Sequence, residues 1–129
     1  MTEGIIKKAI EECEQSTYKL ALGAVIFKGN RILSSGHNEI RSSSISNKYK
    51  KFKNSLHAEQ AAVLNIDWRR LKGASILVLK LSKVQKKLSN AKPCDMCLQL
   101  LKTIGIKKIY YSNQYGEIVK LDENSMGNN

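Results

Sequence analysis

Two short stretches hold residue types that can do metal chemistry. They are His57-Ala58-Glu59 and Pro93-Cys94-Asp95-Met96-Cys97. Cys94 and Cys97 are three positions apart, so on a helix they share one face. Pro93 suits a helix start, where its missing N–H does no harm. Both thiols then fall in a first turn, where the helix dipole favours anions and is expected to lower thiol pKa values. Thiolate is the zinc-binding form. His57 is a candidate third ligand from a second helix. Three protein ligands leave one tetrahedral position for water, which is the pattern of catalytic rather than structural zinc. Glu59 stands two residues from His57 and does not share its direction on a helix. A carboxylate so placed is free to move protons between water and a substrate.

Each stretch alone is weak. A CxxC pair also serves redox chemistry or supplies half of a structural zinc site. No strand leads directly into this CxxC, which speaks against a thioredoxin-like site. No fourth cysteine or well-placed histidine exists for a closed structural site. His37, the only other histidine, sits in a polar Gly-His-Asn turn and reads as a surface residue.

The elements that must position these residues follow from hydrophobic period and punctuation. Thr2 can cap a helix beginning at Glu3, with Ile5, Ile6, Ala9, Ile10 and Cys13 on one face. Residues 20–27 read as a buried strand, 28–30 as a turn and 31–35 as a second strand of a hairpin. Residues 56–68 have helical spacing, with Gly73 closing the end. Residues 74–81 are an apolar strand, 94–104 a helix ended by Gly105, 106–112 a strand and 117–121 a last strand. Between those last two strands lie only residues 113–116. A parallel crossover needs about a dozen residues or more, so the pair is expected to be an antiparallel hairpin. Strands alternating with helices imply a three-layer α/β/α domain with a five-stranded mixed sheet. Residues 1–129 read as one domain, with a polar tail over 122–129. Residues 41–55 and 82–92 read as basic loops, the first carrying Tyr49 and Phe52 among its charges.

Composition bounds the partners. The net charge is +11, from 22 basic and 11 acidic residues. That suits nucleic acid or a phosphorylated small substrate, although a lysine-rich surface also arises without any ligand. No apolar run approaches the roughly 18 residues of a membrane helix, so no membrane partner is expected. The charged N-terminus has no signal-peptide pattern, and a cytoplasmic or nuclear location is expected. An odd count of three cysteines argues against a disulfide framework.

Together, the two helix-opening motifs resemble the HxE…PCxxC pattern of the cytidine/deoxycytidylate deaminase superfamily. The resemblance runs from about Leu20 to Leu121. It implies one zinc ion per chain on His57, Cys94 and Cys97, with Glu59 as proton shuttle. It also implies that the backbone of Ala58 meets the base edge and that Asn38 contacts the sugar. The activity implied is hydrolytic deamination of cytosine in cytidine, deoxycytidine or their monophosphates, giving uracil and ammonia. Alternatives are editing of cytosine in single-stranded DNA or RNA or of a tRNA adenosine, and a non-catalytic zinc-binding pseudo-deaminase subunit. Homo-oligomers are frequent in the superfamily, so one is expected here. The subfamily is mixed. His at the first ligand resembles the deoxycytidylate, tRNA-adenosine and polynucleotide-editing groups. The closing hairpin resembles free-nucleoside and toxin-type deaminases.

Overall fold

The computed structural model describes residues 1–40 and 55–121. Residues 41–54, which carry Tyr49 and Phe52 and most of the loop expected over 41–55, and residues 122–129 lie outside the described residues. In chain order the elements are α1 (Glu3–Gln15), β1 (Leu20–Lys28), β2 (Arg31–His37), β3 (Glu39–Ile40), β4 (Ser55–Leu56), α2 (Ala58–Leu64), a 3-10 turn (Trp68–Arg70), β5 (Ser75–Ser82), β6 (Lys87–Ser89), α3 (Asp95–Thr103), β7 (Lys108–Ser112) and β8 (Ile118–Lys120).

The main sheet has the order β2-β1-β5-β7-β8. The β1/β2, β1/β5 and β7/β8 pairs are antiparallel, while β5 and β7 run parallel with α3 in the crossover. The expected mixed sheet and closing hairpin are therefore present. The period of two in β1 and β5 splits their apolar runs between two cores. Val25, Phe27, Leu77 and Leu79 pack with Ile5, Ala9 and Cys13 of α1. Ala24, Ile26, Ile76 and Val78 face the other way, towards Ala58 and Ala62 of α2 and Leu101 of α3. Cys13 is fully buried, and burial pushes its thiol up to about 12. Thr2 occupies the N-cap position of α1 without a side-chain cap bond.

Two glycines set the layer spacing. A Cβ at Gly23 would collide with the Ala9 carbonyl of α1. A Cβ at Gly36 would lie 2.5 Å from the Ala62 nitrogen and 2.6 Å from the Ala61 Cβ of α2. Only the absence of a side chain lets the helices lie this close.

Three boundaries differ from expectation. The helix expected over 56–68 is confined to Ala58–Leu64. Leu56 is instead paired with Glu39 in the small β3/β4 ribbon. At the other end Asp67 opens the separate 3-10 turn by accepting from the Arg69 N–H at 3.1 Å. The region 82–92 is not wholly loop. Residues 87–89 form β6, which pairs with the end of β5 through Lys80↔Ser89 and Ser82↔Lys87. Ser112 stitches this extension: its hydroxyl accepts from the Lys80 N–H at 3.2 Å and donates to the Ser89 carbonyl at 2.6 Å. Among the described residues, no helix is long and apolar enough to cross a membrane.

Candidate metal centre

Both motifs sit where a helix begins. His57 is the N-cap of α2 and Cys94 the N-cap of α3. His57 is set by two devices. The β3/β4 ribbon delivers it, and the Gln60 Oε1 accepts from its backbone N–H at 3.0 Å. That second bond is the returning arm of a capping box. Its sequence signal is a glutamine three residues after the N-cap. The Cys94 end is fixed by Pro93 and by the Ala91 N–H, which donates to the Ser112 carbonyl at 2.8 Å.

The result is a convergent set of ligand atoms. One atom each from His57, Cys94 and Cys97 lies within 4.8 Å of the others. Cys97 Sγ and His57 Nδ1 are 3.5 Å apart. Zinc–sulfur and zinc–nitrogen bonds of about 2.3 and 2.0–2.1 Å in a tetrahedron give a ligand–ligand edge of about 3.6 Å. The Cys97–His57 spacing matches such an edge, and the whole set is close enough to converge on one zinc ion. Cys94 is exposed, His57 partly buried and Cys97 fully buried, so the cluster opens to solvent on one side.

Burial dominates the electrostatics of the cluster. Burial lowers the His57 pKa, which keeps the imidazole neutral and able to ligate. The Cys97 thiol is pushed up by burial, then by the nearby Glu59 and Cys94. This corrects the expectation that the helix start lowers it, since desolvation and like charge outweigh the dipole here. A divalent cation would reverse that balance. Glu59 is almost fully buried, and burial raises its pKa against the opposing help of its own backbone N–H and the Cys97 thiol. A carboxyl of raised pKa beside a metal-ligand cluster is suited to giving and taking protons. The Gln60 Nε2 is buried with no partner among the described residues.

The other expected residues are placed as follows. Ala58 opens α2 and is fully buried in the core. Asn38 is buried, with Oδ1 accepting from the Leu22 N–H at 2.9 Å and from Ser16 Oγ at 2.6 Å. Its Nδ2 donates to the Leu20 carbonyl at 3.4 Å, so its side chain ties the start of β1, and the β3/β4 ladder begins one residue later at Glu39↔Leu56. His37 is not a plain surface residue. Its Nδ1 lies 2.8 Å from the buried Glu12 and its Nε2 3.4 Å from Glu39. The expectation missed this because Glu12, on α1, is 25 residues away in sequence.

Comparisons with known proteins agree with this geometry. The family model described as the cytidine and deoxycytidylate deaminase zinc-binding region matches residues 2–113. Among solved structures, a cytidine deaminase from Burkholderia pseudomallei superimposes with a TM-score of 0.68 at 20% identity, covering 98% of this chain and 96% of that one. A dCMP deaminase from the cyanophage S-TIM5 gives 0.56 at 22% identity, covering 88% and 86%. The diaminohydroxyphosphoribosylaminopyrimidine deaminase/reductase of Thermotoga maritima gives 0.57 at 20% identity, but the match covers 98% of this chain and only 31% of that one. A search of curated protein sequences gives no match. At these identities the structural likenesses establish the fold, and the family model establishes the kinship.

Proposed function

We propose, given that the chain belongs to the cytidine and deoxycytidylate deaminase zinc-binding region family, that it is a zinc-dependent hydrolase converting a cytosine base to uracil with release of ammonia. The observation that carries the reading is the buried Glu59 carboxyl, of raised pKa, beside the His57, Cys94 and Cys97 cluster. Those three residues would hold one zinc ion, which when bound makes water acidic enough to attack near neutral pH. The remaining work belongs to the chain. Glu59 takes one proton from the attacking water and gives it to the ring nitrogen, then takes the second proton from the newly added hydroxyl and gives it to the amine as the carbon–nitrogen bond breaks. Its burial excludes bulk water from that transfer and raises its pKa above the usual carboxylate value, which favours its taking up a proton. The Ala58 backbone and Asn38 are assigned to the base edge and the sugar by resemblance.

The substrate in this reading is a pyrimidine nucleoside or its monophosphate. A homo-oligomer in the cytoplasm or nucleus fits the family's habit. A second reading, editing of a base within single-stranded nucleic acid, is favoured by the net charge of +11. Oligonucleotide binding that weakens steeply with salt would support it. A pseudo-deaminase subunit is disfavoured, because a non-catalytic zinc site has no need of Glu59.

The test is to incubate zinc-loaded protein with cytidine, deoxycytidine, their monophosphates, single-stranded DNA and tRNA, and to detect base conversion by mass spectrometry. Glu59→Gln is expected to keep zinc and fold while turnover falls by about 10²–10⁴-fold. An active Glu59→Gln enzyme would remove Glu59 from the mechanism.

A further inference from the structure

Beyond the packed core, β5 and β6 form a cationic cleft. Ile76 and Val78 face α2 and α3, and the period of two puts Lys80 and Ser82 on that same side. The pairs Lys80↔Ser89 and Ser82↔Lys87 bring Ser89 and Lys87 beside them. Leu20, paired with Ser82, and Val84 in the turn complete a cleft of about 310 Å³. Two ammonium groups and two hydroxyls line it, and no carboxylate does. Neither lysine forms an ion pair among the described residues. Diagonal neighbours across such a pair sit about 7–8 Å apart, within reach of long side chains, so both ammonium groups can approach one anion between them.

The cleft is held in shape. Lys86 takes the left-handed conformation (φ 54°) at the turn, and its N–H donates to the Ser82 carbonyl at 2.7 Å. The other lysine of the turn, Lys83, is already engaged, donating to the Ser16 carbonyl at the end of α1. Ser112 fixes both strands from below. By register the cleft lies at the sheet end where Asn38 is held: Lys80 pairs with Leu22, whose carbonyl accepts from the Asn38 N–H at 3.1 Å. Ser89 precedes Cys94 by five residues, a span of at most about 18 Å when extended, on the same side of the sheet as α3.

We propose that this cleft is a phosphate seat. Lys80 and Lys87 clasp a phosphate of the pyrimidine nucleotide whose base is presented to Glu59, with the Ser82 and Ser89 hydroxyls as further donors. The inference rests on the deaminase reading and sharpens it towards phosphorylated substrates. The phosphate has two sources, a mononucleotide or the backbone of a single strand.

The experiment is calorimetric titration of the zinc-loaded full chain with deoxyuridine, dUMP and a short oligothymidylate, with turnover of deoxycytidine and dCMP measured alongside. Loss of two charge-assisted contacts should cost at least about tenfold. Wild type is expected to bind phosphorylated ligands at least that much more tightly than deoxyuridine. The Lys80→Gln/Lys87→Gln protein should lose this gap, and Lys87→Gln alone, at an exposed position, should narrow it if the double variant folds poorly. Tightest binding of dUMP identifies a terminal phosphate, and tightest binding of the oligonucleotide a strand phosphate; both support the seat when the gap closes in the variants. Equal affinities for dUMP and deoxyuridine, or a gap unchanged in the variants, would overturn it. If deoxycytidine and dCMP are deaminated equally well and the variants behave like wild type, the seat fails and the deaminase reading stands. If phosphate-dependent binding closes in the variants but no substrate turns over, the seat stands and the deaminase reading fails.

Discussion

Replacing Gly36 by alanine tests how the sheet fixes the metal centre. The new Cβ would lie 2.5 Å from the Ala62 nitrogen, whereas ordinary contact begins near 3.4 Å. The helix must therefore retreat by about 0.9 Å, and the nearest atoms are backbone, which cannot swing aside. Ala61 is bonded through its N–H to the His57 carbonyl at 2.9 Å, so the shift passes directly to a metal ligand. Overpacking of this kind costs typically about 1–3 kcal/mol. For a domain of this size that is a fall in Tm of about 3–15 °C. Misplacement of a reacting group by about 1 Å costs on the order of 10²-fold in rate. The assay is a thermal melt of the metal-free protein, with zinc affinity measured by competition against a chromogenic chelator. We expect a lower Tm and weaker zinc binding together. A Tm within about 1 °C of wild type would refute the packing argument. A lower Tm with undiminished zinc affinity would refute the link from Gly36 to His57.

Three further outcomes are expected. Ser112→Ala strands the Lys80 N–H and the Ser89 carbonyl, and should destabilise the protein by about 1–3 kcal/mol in denaturant titration. Glu12 has its pKa raised by burial but lowered more by Ser35, His37 and Lys8, for a net fall from 4.5. Its stabilisation is thus present above about pH 4.5 and lost as pH falls through the depressed value. Glu12→Gln should be less stable at neutral pH and show a shallower acid limb, and an unchanged acid limb would contradict the pairing. Stripping zinc with a chelator should lower Tm, because a ligand at 1,000 times its Kd contributes about 4.1 kcal/mol. The far-UV circular dichroism should persist, since two apolar cores hold the fold; collapse of that signal would show that the metal holds it instead.

The site was legible in the sequence because its chemistry sits in two short local motifs at helix starts, where spacing translates directly into shared faces. The central strands were legible for a similar reason: runs such as 74–81 are apolar on both sides and short. What local pattern could not give was anything made by distant partners. Strand β6 (KLS) has no hydrophobic signature and exists because Lys80, Ser82 and Ser112 supply its bonds. His37 gains its role from a glutamate on another element. The Cys97 thiol departs from the helix-dipole expectation because folding buries it and then brings Glu59 and Cys94 beside it.

The separation of the ligands also orders events in the life of the chain. His57 and Cys97 are 40 residues apart, and their meeting depends on the parallel β5/β7 pairing as well as on α2 seating against Gly36. Such long-range pairing forms late, after loop-closure entropy has been overcome. During synthesis His57 emerges first and waits, and Cys94 and Cys97 then offer only a bidentate grip. On the proposed reading, metal loading would be a maturation step on an already folded protein, so zinc supply would govern the fraction of active molecules more than the yield of folded ones.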